Sequence, residues 1–128
     1  MNCESYHRYG DAPDTFLTAA EMEWFSNHYI AEESARASVE ASPLLADSFA
    51  DLPRAIVVTA EFDPLRDQGL AYAERLQADG VPVIQHHYDD QIHAFFAFVN
   101  LFESGDDAVA KVAADVKAAV APAAASAG

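Results

Sequence analysis

Two side chains in this sequence have the type and setting for acyl-transfer chemistry. Asp63 lies in Ala60-Glu61-Phe62-Asp63-Pro64-Leu65-Arg66-Asp67, and His93 in Gln91-Ile92-His93-Ala94-Phe95-Phe96; each lies beyond the end of a candidate strand. In a Ser-His-Asp site the carboxylate accepts a hydrogen bond from one imidazole nitrogen and fixes its tautomer. The other nitrogen takes the nucleophile's proton and later delivers it to the leaving group. A histidine that titrates at about pH 7 suits both transfers. The third member is missing. None of Ser5, Ser26, Ser34, Ser38, Ser42, Ser48, Ser104 and Ser126 lies in a Gly-x-Ser-x-Gly turn or a Ser-x-x-Lys motif, and Cys3 has no such turn around it. Asp63 and His93 are therefore candidate catalytic residues without a nucleophile, and the chain by itself is not expected to hydrolyse an ester.

The elements that must position the pair are legible around it. Ala55-Ile56-Val57-Val58-Thr59-Ala60 is a continuous β-branched and apolar run after Pro53, the pattern of a parallel strand covered on both faces. A helix is expected from about Asp67 to Asp79, with Leu70, Ala73, Leu76 and Gln77 on one side and Gly80 as its terminator. Val81 to Tyr88 reads as the second strand. Strand, helix, strand is a βαβ unit with parallel strands and a right-handed crossover. Ligands of open parallel sheets gather beyond the carboxyl ends of the strands, which is where Asp63 and His93 fall.

Upstream, residues 1 to 16 read as irregular. A helix over about 18 to 30 is capped by Thr18, with Glu21 placed for the reciprocal bond and Met22, Phe25 and Tyr29 along one side. Ala31 to Leu52 reads as a surface linker. Downstream, a short helix covers Phe95, Phe96, Val99 and Phe102, and a final helix runs from about Asp106 to Val120 with Val109, Val112, Val116 and Val120 on one stripe. The expected division is 1–52 for the first helix and linker, 53–120 for the βαβ unit and terminal helices, and 121–128 for a flexible tail. Two parallel strands cannot hide their own edges, so further strands from another polypeptide or self-pairing are expected.

Composition narrows the function. Hydrophobic residues make up 52% of the 128, enough for a core, and the net charge of -14 would repel a phosphate backbone, which argues against nucleic acid. A single cysteine excludes an internal disulfide framework. There is no basic-then-apolar leader pattern and no stretch of about 20 apolar residues, so no membrane span and a cytoplasmic location are the expectation. His86 and His87 are adjacent on a strand and point to opposite faces, a poor start for a metal site. The Phe95–Phe102 aromatics suit a core, and Tyr6, Tyr9 and Tyr29 are candidates for a partner surface.

Taken together, Ser42-Pro43-Leu44-Leu45, Leu52-Pro53, Ile56-Val57-Val58-Thr59-Ala60-Glu61-Phe62-Asp63-Pro64-Leu65-Arg66-Asp67-Gln68-Gly69, Tyr72-Ala73-Glu74-Arg75-Leu76, Gly80-Val81-Pro82-Val83 and Ile92-His93-Ala94-Phe95 resemble the C-terminal portion of the bacterial hormone-sensitive-lipase-like esterases of the α/β-hydrolase superfamily. The helix around Met22-Glu23-Trp24-Phe25 is similar to the one that precedes them in that family. The resemblance covers roughly residues 17 to 120. It implies an incomplete α/β-hydrolase fold, a carboxylic-ester hydrolase segment with no metal or organic cofactor, Asp63 as triad acid and His93 as triad base. The family's His-Gly-Gly-Gly and Gly-Asp-Ser-Ala-Gly segments are absent. Asp89-Asp90-Gln91 replaces the usual approach to the histidine, and Ala94 stands where glycine is commoner; both changes bear on the loop that carries His93.

Rival readings stand beside these. Asp63 could cap a post-strand turn, and His93 could be a buried loop-bonding histidine. Arg66 and Asp67 read as ties at the strand-helix junction, with Asp67 capping the helix. For the whole chain, the alternative to an ester-hydrolase segment is a noncatalytic interaction module or an inactive remnant of the fold. The implied partners are a small carboxylic ester, when a serine-bearing segment complements the chain, and a second copy or a complementary hydrolase fragment.

Overall fold

A computed structural model describes residues 3–121. It divides into two compact units, Met1–Ala94 and Phe95–Gly128. In the first unit the elements run α1 (Glu4–Tyr9), α2 (Ala19–Tyr29), β1 (Ala55–Phe62), α3 (Arg66–Ala78) and β2 (Val83–Ile92), with 3-10 turns at Glu33–Ala37 and Pro43–Leu45. The second holds a 3-10 turn at Phe95–Ala97 and α4 (Glu103–Val120).

β1 and β2 form a two-stranded parallel sheet joined by α3, the expected βαβ unit. The register runs in step from Ala55↔Val83 to Ala60↔Tyr88 and resumes at Phe62↔Ile92. Between those points β1 spends one residue, Glu61, where β2 spends three, Asp89, Asp90 and Gln91. This irregularity carries β2 past the Tyr88 expected as its end. The β1 run reads as buried on both faces, yet only Thr59 and Ala60 are buried, and Ile56, Val57 and Val58 are half-covered. A lone pair of strands has too few neighbours to cover a face that a larger sheet would bury.

α3 lies close on β1. A Cβ at Gly69 would meet Thr59 Cγ2 at 2.9 Å, so only glycine permits that approach. The helix ends as the sequence predicts. Gly80 takes φ 85°, its N–H donates to Gln77 O at 3.0 Å, and Val81 N–H donates to Leu76 O at 2.9 Å. These two bonds make a Schellman cap, which satisfies carbonyls that would otherwise be orphaned. Val81 then packs with Leu76 and Phe49 in the core, flanked by Ala46, Ala55, Tyr72 and Val83.

Phe49 corrects the reading of Ala31–Leu52 as a surface linker, since its ring is 3% exposed. Arg75 donates to the carbonyls of Ala46 and Asp47 at 3.1 and 2.8 Å, and Asp79 accepts from Phe49 N–H at 2.6 Å. Both residues belong to the end of α3, so that helix end fixes the segment that delivers the ring.

α2 starts as expected, with Thr18 and Glu21 in a reciprocal capping box. Its apolar side differs. Met22 is buried, but Trp24, Phe25 and Tyr29 are exposed, so the helix offers more apolar surface than this unit covers. Residues 4–9 are the larger departure: they form α1 rather than an irregular lead-in. Six residues are too few to display a 3.6-residue period, and long-range contacts hold the helix in place.

In the second unit Gly105 and Ala108 are the buried residues of α4, and a Cβ at Gly105 would lie 3.0 Å from Phe95 O. The expected valine stripe is covered only at its start: Val116 and Val120 are exposed. Residues 122–128, most of the expected flexible tail, lie outside the described residues.

Candidate active site

The register of the sheet sets the geometry of the pair. Because Phe62 is opposite Ile92, the next residues, Asp63 and His93, leave adjacent parallel strands side by side at their carboxyl ends. His93 Nδ1 lies 2.9 Å from Asp63 Oδ2. A carboxylate can only accept, so the neutral ring donates through Nδ1–H, leaving Nε2 with the free lone pair. The Asp63 carboxylate is held from its other side, since Oδ1 accepts the Leu65 N–H at 2.7 Å and the Asp63 carbonyl accepts the Arg66 N–H at 3.0 Å. One oxygen of the aspartate thus caps the post-strand turn while the other faces the imidazole.

The hydrogen bond that His93 donates to Asp63, together with the carboxylate's charge, raises the His93 pKa above its ordinary value; partial burial opposes this and is outweighed. A histidine held in one tautomer by a carboxylate and made more basic can accept a proton at Nε2. The ring is only partly covered, with 28% of its side-chain surface exposed. The loop that carries it is strained at Ala94, whose φ of 65° lies in the left-handed region where an alanine is disfavoured.

A second set of contacts surrounds the turn. Burial of Asp67 opposes its ionisation, but the Ser5 N–H and the Arg66 guanidinium together hold its carboxyl below the ordinary range. Arg66 Nε donates to Asp67 Oδ1 at 2.9 Å, and its Nη1 pairs with Glu61. Burial also opposes the charge on Arg66, and Asp67 and Glu61 outweigh it to raise the pKa. The two residues tie the junction as expected, with one correction. Asp67 does not cap its own helix: its carboxylate accepts from Ser5 and Arg66, while its N–H donates to Ser5 Oγ. Tyr9 adds a bond from its hydroxyl to Glu61 at 3.2 Å and an edge contact to Phe62. Sequence reasoning found neither Ser5 nor Tyr9 in these roles, because nothing local to residues 4–9 indicates a partner some 60 residues away.

His87 sits over β1, with Nδ1 2.9 Å from Thr59 Oγ1 and Nε2 3.4 Å from Glu61. Among the described residues no three His, Cys, Asp or Glu side chains converge as a metal-ligand group. A mainly apolar groove of about 750 Å³ runs between the Ala41–Leu45 segment and α3; neither Asp63 nor His93 lines it.

Comparison with known proteins supplies the context for this arrangement. The profile of the α/β-hydrolase fold family matches residues 2–97. The chain belongs to the α/β-hydrolase fold family. It is 51% identical over 67 residues to an arylesterase of Saccharolobus solfataricus, covering 52% of this chain and 22% of that protein. It is 37% identical over 95 residues to the carboxylic ester hydrolase LipN of Mycobacterium tuberculosis, covering 73% and 24%. A thermostable carboxylesterase cloned from a metagenomic library superposes with a TM-score of 0.89 at 35% identity, covering 94% of this chain and 40% of that one. The chain thus spans about a quarter of the length of these curated relatives. Its two parallel strands and flanking helices are part of the larger hydrolase fold, an incomplete α/β-hydrolase arrangement.

Proposed function

We propose that these residues are the C-terminal portion of a hormone-sensitive-lipase-like carboxylic-ester hydrolase and carry the acid and base of its Ser-Asp-His triad. The observation that carries this reading is the 2.9 Å contact between Asp63 and His93 at neighbouring strand ends of an esterase-like fold. In the proposed reaction His93 Nε2 takes the proton of a serine hydroxyl as that oxygen attacks the ester carbonyl. Asp63 holds the ring and stabilises the imidazolium. Collapse of the tetrahedral intermediate breaks the carbon–alkoxide bond, and His93 returns the proton to the departing alcohol. Water, deprotonated by the same nitrogen, then releases the acid from the acyl-enzyme. No serine of these 128 residues has the needed setting, so the nucleophile and the amides that hold the oxyanion belong to chain outside them. The substrate class is a small carboxylic ester.

The test supplies what is missing. This chain is mixed with a serine-bearing N-terminal half of a related esterase and exposed to a short activated ester. Covalent acylation of that serine should require both halves. A folded heterocomplex that stays unacylated would sink the proposal.

A second reading is supported by the same sheet: a noncatalytic module that binds through its open edges. Phe62 and Ile84 are exposed on the strands, and no third strand covers either edge among the described residues. That reading calls for self-association without complementation. Light scattering that finds a compact monomer throughout the micromolar range would count against it.

A further inference from the structure

We propose that Ser5 is a positioning residue, clamping the turn that presents Asp63 and so holding the carboxylate against His93. The inference rests on the reading of Asp63 as partner of a catalytic histidine and adds a residue some 60 positions away to its support. Ser5 is 0% exposed. Its Oγ donates to Pro64 O at 2.9 Å and accepts the Asp67 N–H at 3.2 Å, and its own N–H donates to Asp67 Oδ2 at 2.7 Å. The Cys3 Sγ lies 3.6 Å from Ser5 Oγ.

These contacts interleave with those of Asp63 itself. Asp63 is anchored to the N–H groups of Leu65 and Arg66, and Ser5 is bonded to the residues on either side of them, Pro64 and Asp67. Five consecutive residues are thus fixed by two sets of bonds, one local and one reaching across from α1. Pro64 is fully buried, so removing the hydroxyl takes away a buried hydrogen bond at its carbonyl, which costs more than the loss of an exposed one. Removing the hydroxyl frees the turn to rotate about Asp63, and the oxygen nearest His93 is the one with no backbone anchor. Tyr9, one helical turn along α1, reinforces the clamp through Glu61 and its ion pair with Arg66.

The experiment is an NMR titration of the His93 imidazole in the full 128-residue chain, comparing wild type, Ser5→Ala, Asp63→Asn and the double variant. Asp63→Asn should lower the His93 pKa. Ser5→Ala should lower it in the same direction, by about half a pH unit. In the Asp63→Asn background, Ser5→Ala should add nothing, because the clamp acts through the carboxylate. A folded Ser5→Ala chain with the wild-type titration overturns the proposal, and so does an equal fall in both backgrounds. If Ser5→Ala does not fold, the near-isosteric Ser5→Cys, a weak hydrogen-bonding group, is judged by the same comparison. Should Asp63→Asn leave His93 unmoved, the pairing fails, and the proposed positioning by Ser5 falls with it. Failure of serine acylation in a heterocomplex, by contrast, would strike the esterase reading and leave these titrations unchanged.

Discussion

Asp63 acts with both carboxylate oxygens, and this makes the chemistry of the pair dependent on local backbone order. One oxygen ends a turn and the other orients an imidazole, so loosening either contact affects the other. The His93 pKa is raised in the folded chain, so the pairing contributes stability that is fully present below the ordinary histidine value of 6.5. That contribution is lost as pH rises through the raised folded-state value. Asp63→Asn should therefore destabilise the chain more at acidic than at alkaline pH, as read from urea midpoints on either side of the titration. An Asp63→Asn penalty that is the same on both sides would exclude the linkage. Asp67 has the opposite sign: its carboxyl is held low, so its contribution is present above the ordinary aspartate value and fades as pH falls through the folded-state one. Ala94 supplies a separate test. Replacing it by glycine removes a left-handed alanine, partly offset by the freer unfolded chain, and should raise stability by about 0.5–1 kcal/mol in chemical denaturation without moving the His93 titration. The types and neighbours of Asp63 and His93 were visible in the sequence because Asp63 follows a β-branched run and His93 lies in Ile92-His93-Ala94-Phe95, beyond the second strand-like stretch. Ser5 was not, since a serine in a short helix carries no sign of the distant turn it bonds.

At the scale of elements, the well-marked features were those whose signals are local. Thr18 and Glu21 form the expected capping box, and Gly80 adopts the left-handed conformation its place after Leu76 implied. Gly80→Ala has room for its methyl but not the backbone freedom, and should cost about 1–2 kcal/mol in unfolding free energy. A cost near zero would show that the α3 cap does not hold this turn. Elements placed by long-range packing were harder to read. Phe49 stands in a polar, alanine-rich stretch with no periodicity, yet its ring fills the space between Leu76 and Val81 while Arg75 and Asp79 bind the neighbouring backbone. Phe49→Ala should cost about 3–5 kcal/mol, enough to unfold much of a small unit; circular dichroism melting would register it directly. If melting is unchanged, this segment is the surface linker that its composition suggested. The β2 irregularity was equally hidden. Its extra residues fall in Asp89-Asp90-Gln91, and the two strands still end in step at Phe62 and Ile92.

For the molecule as a whole, the chain carries part of an α/β-hydrolase fold, covering 40% of the thermostable carboxylesterase on which it superposes. Apolar side chains on α2 and on both strands are more exposed than a closed hydrolase core would leave them, which agrees with the partial coverage of the related structures. The sequence showed this shortfall through a count of strands: two parallel strands are too few to bury an apolar β1. It could not show which surface would supply the rest, because an open edge accepts any strand of suitable register. The measurement that reaches the central claim most directly is steady-state ester hydrolysis by this chain assembled with a serine-bearing half, comparing wild type with His93→Ala at equal heterocomplex concentration. With the proposed triad, the wild-type assembly should turn over a short activated ester, and His93→Ala should lower kcat/KM by on the order of 10³-fold or more while assembly is unchanged. Equal rates for the two assemblies would contradict the triad.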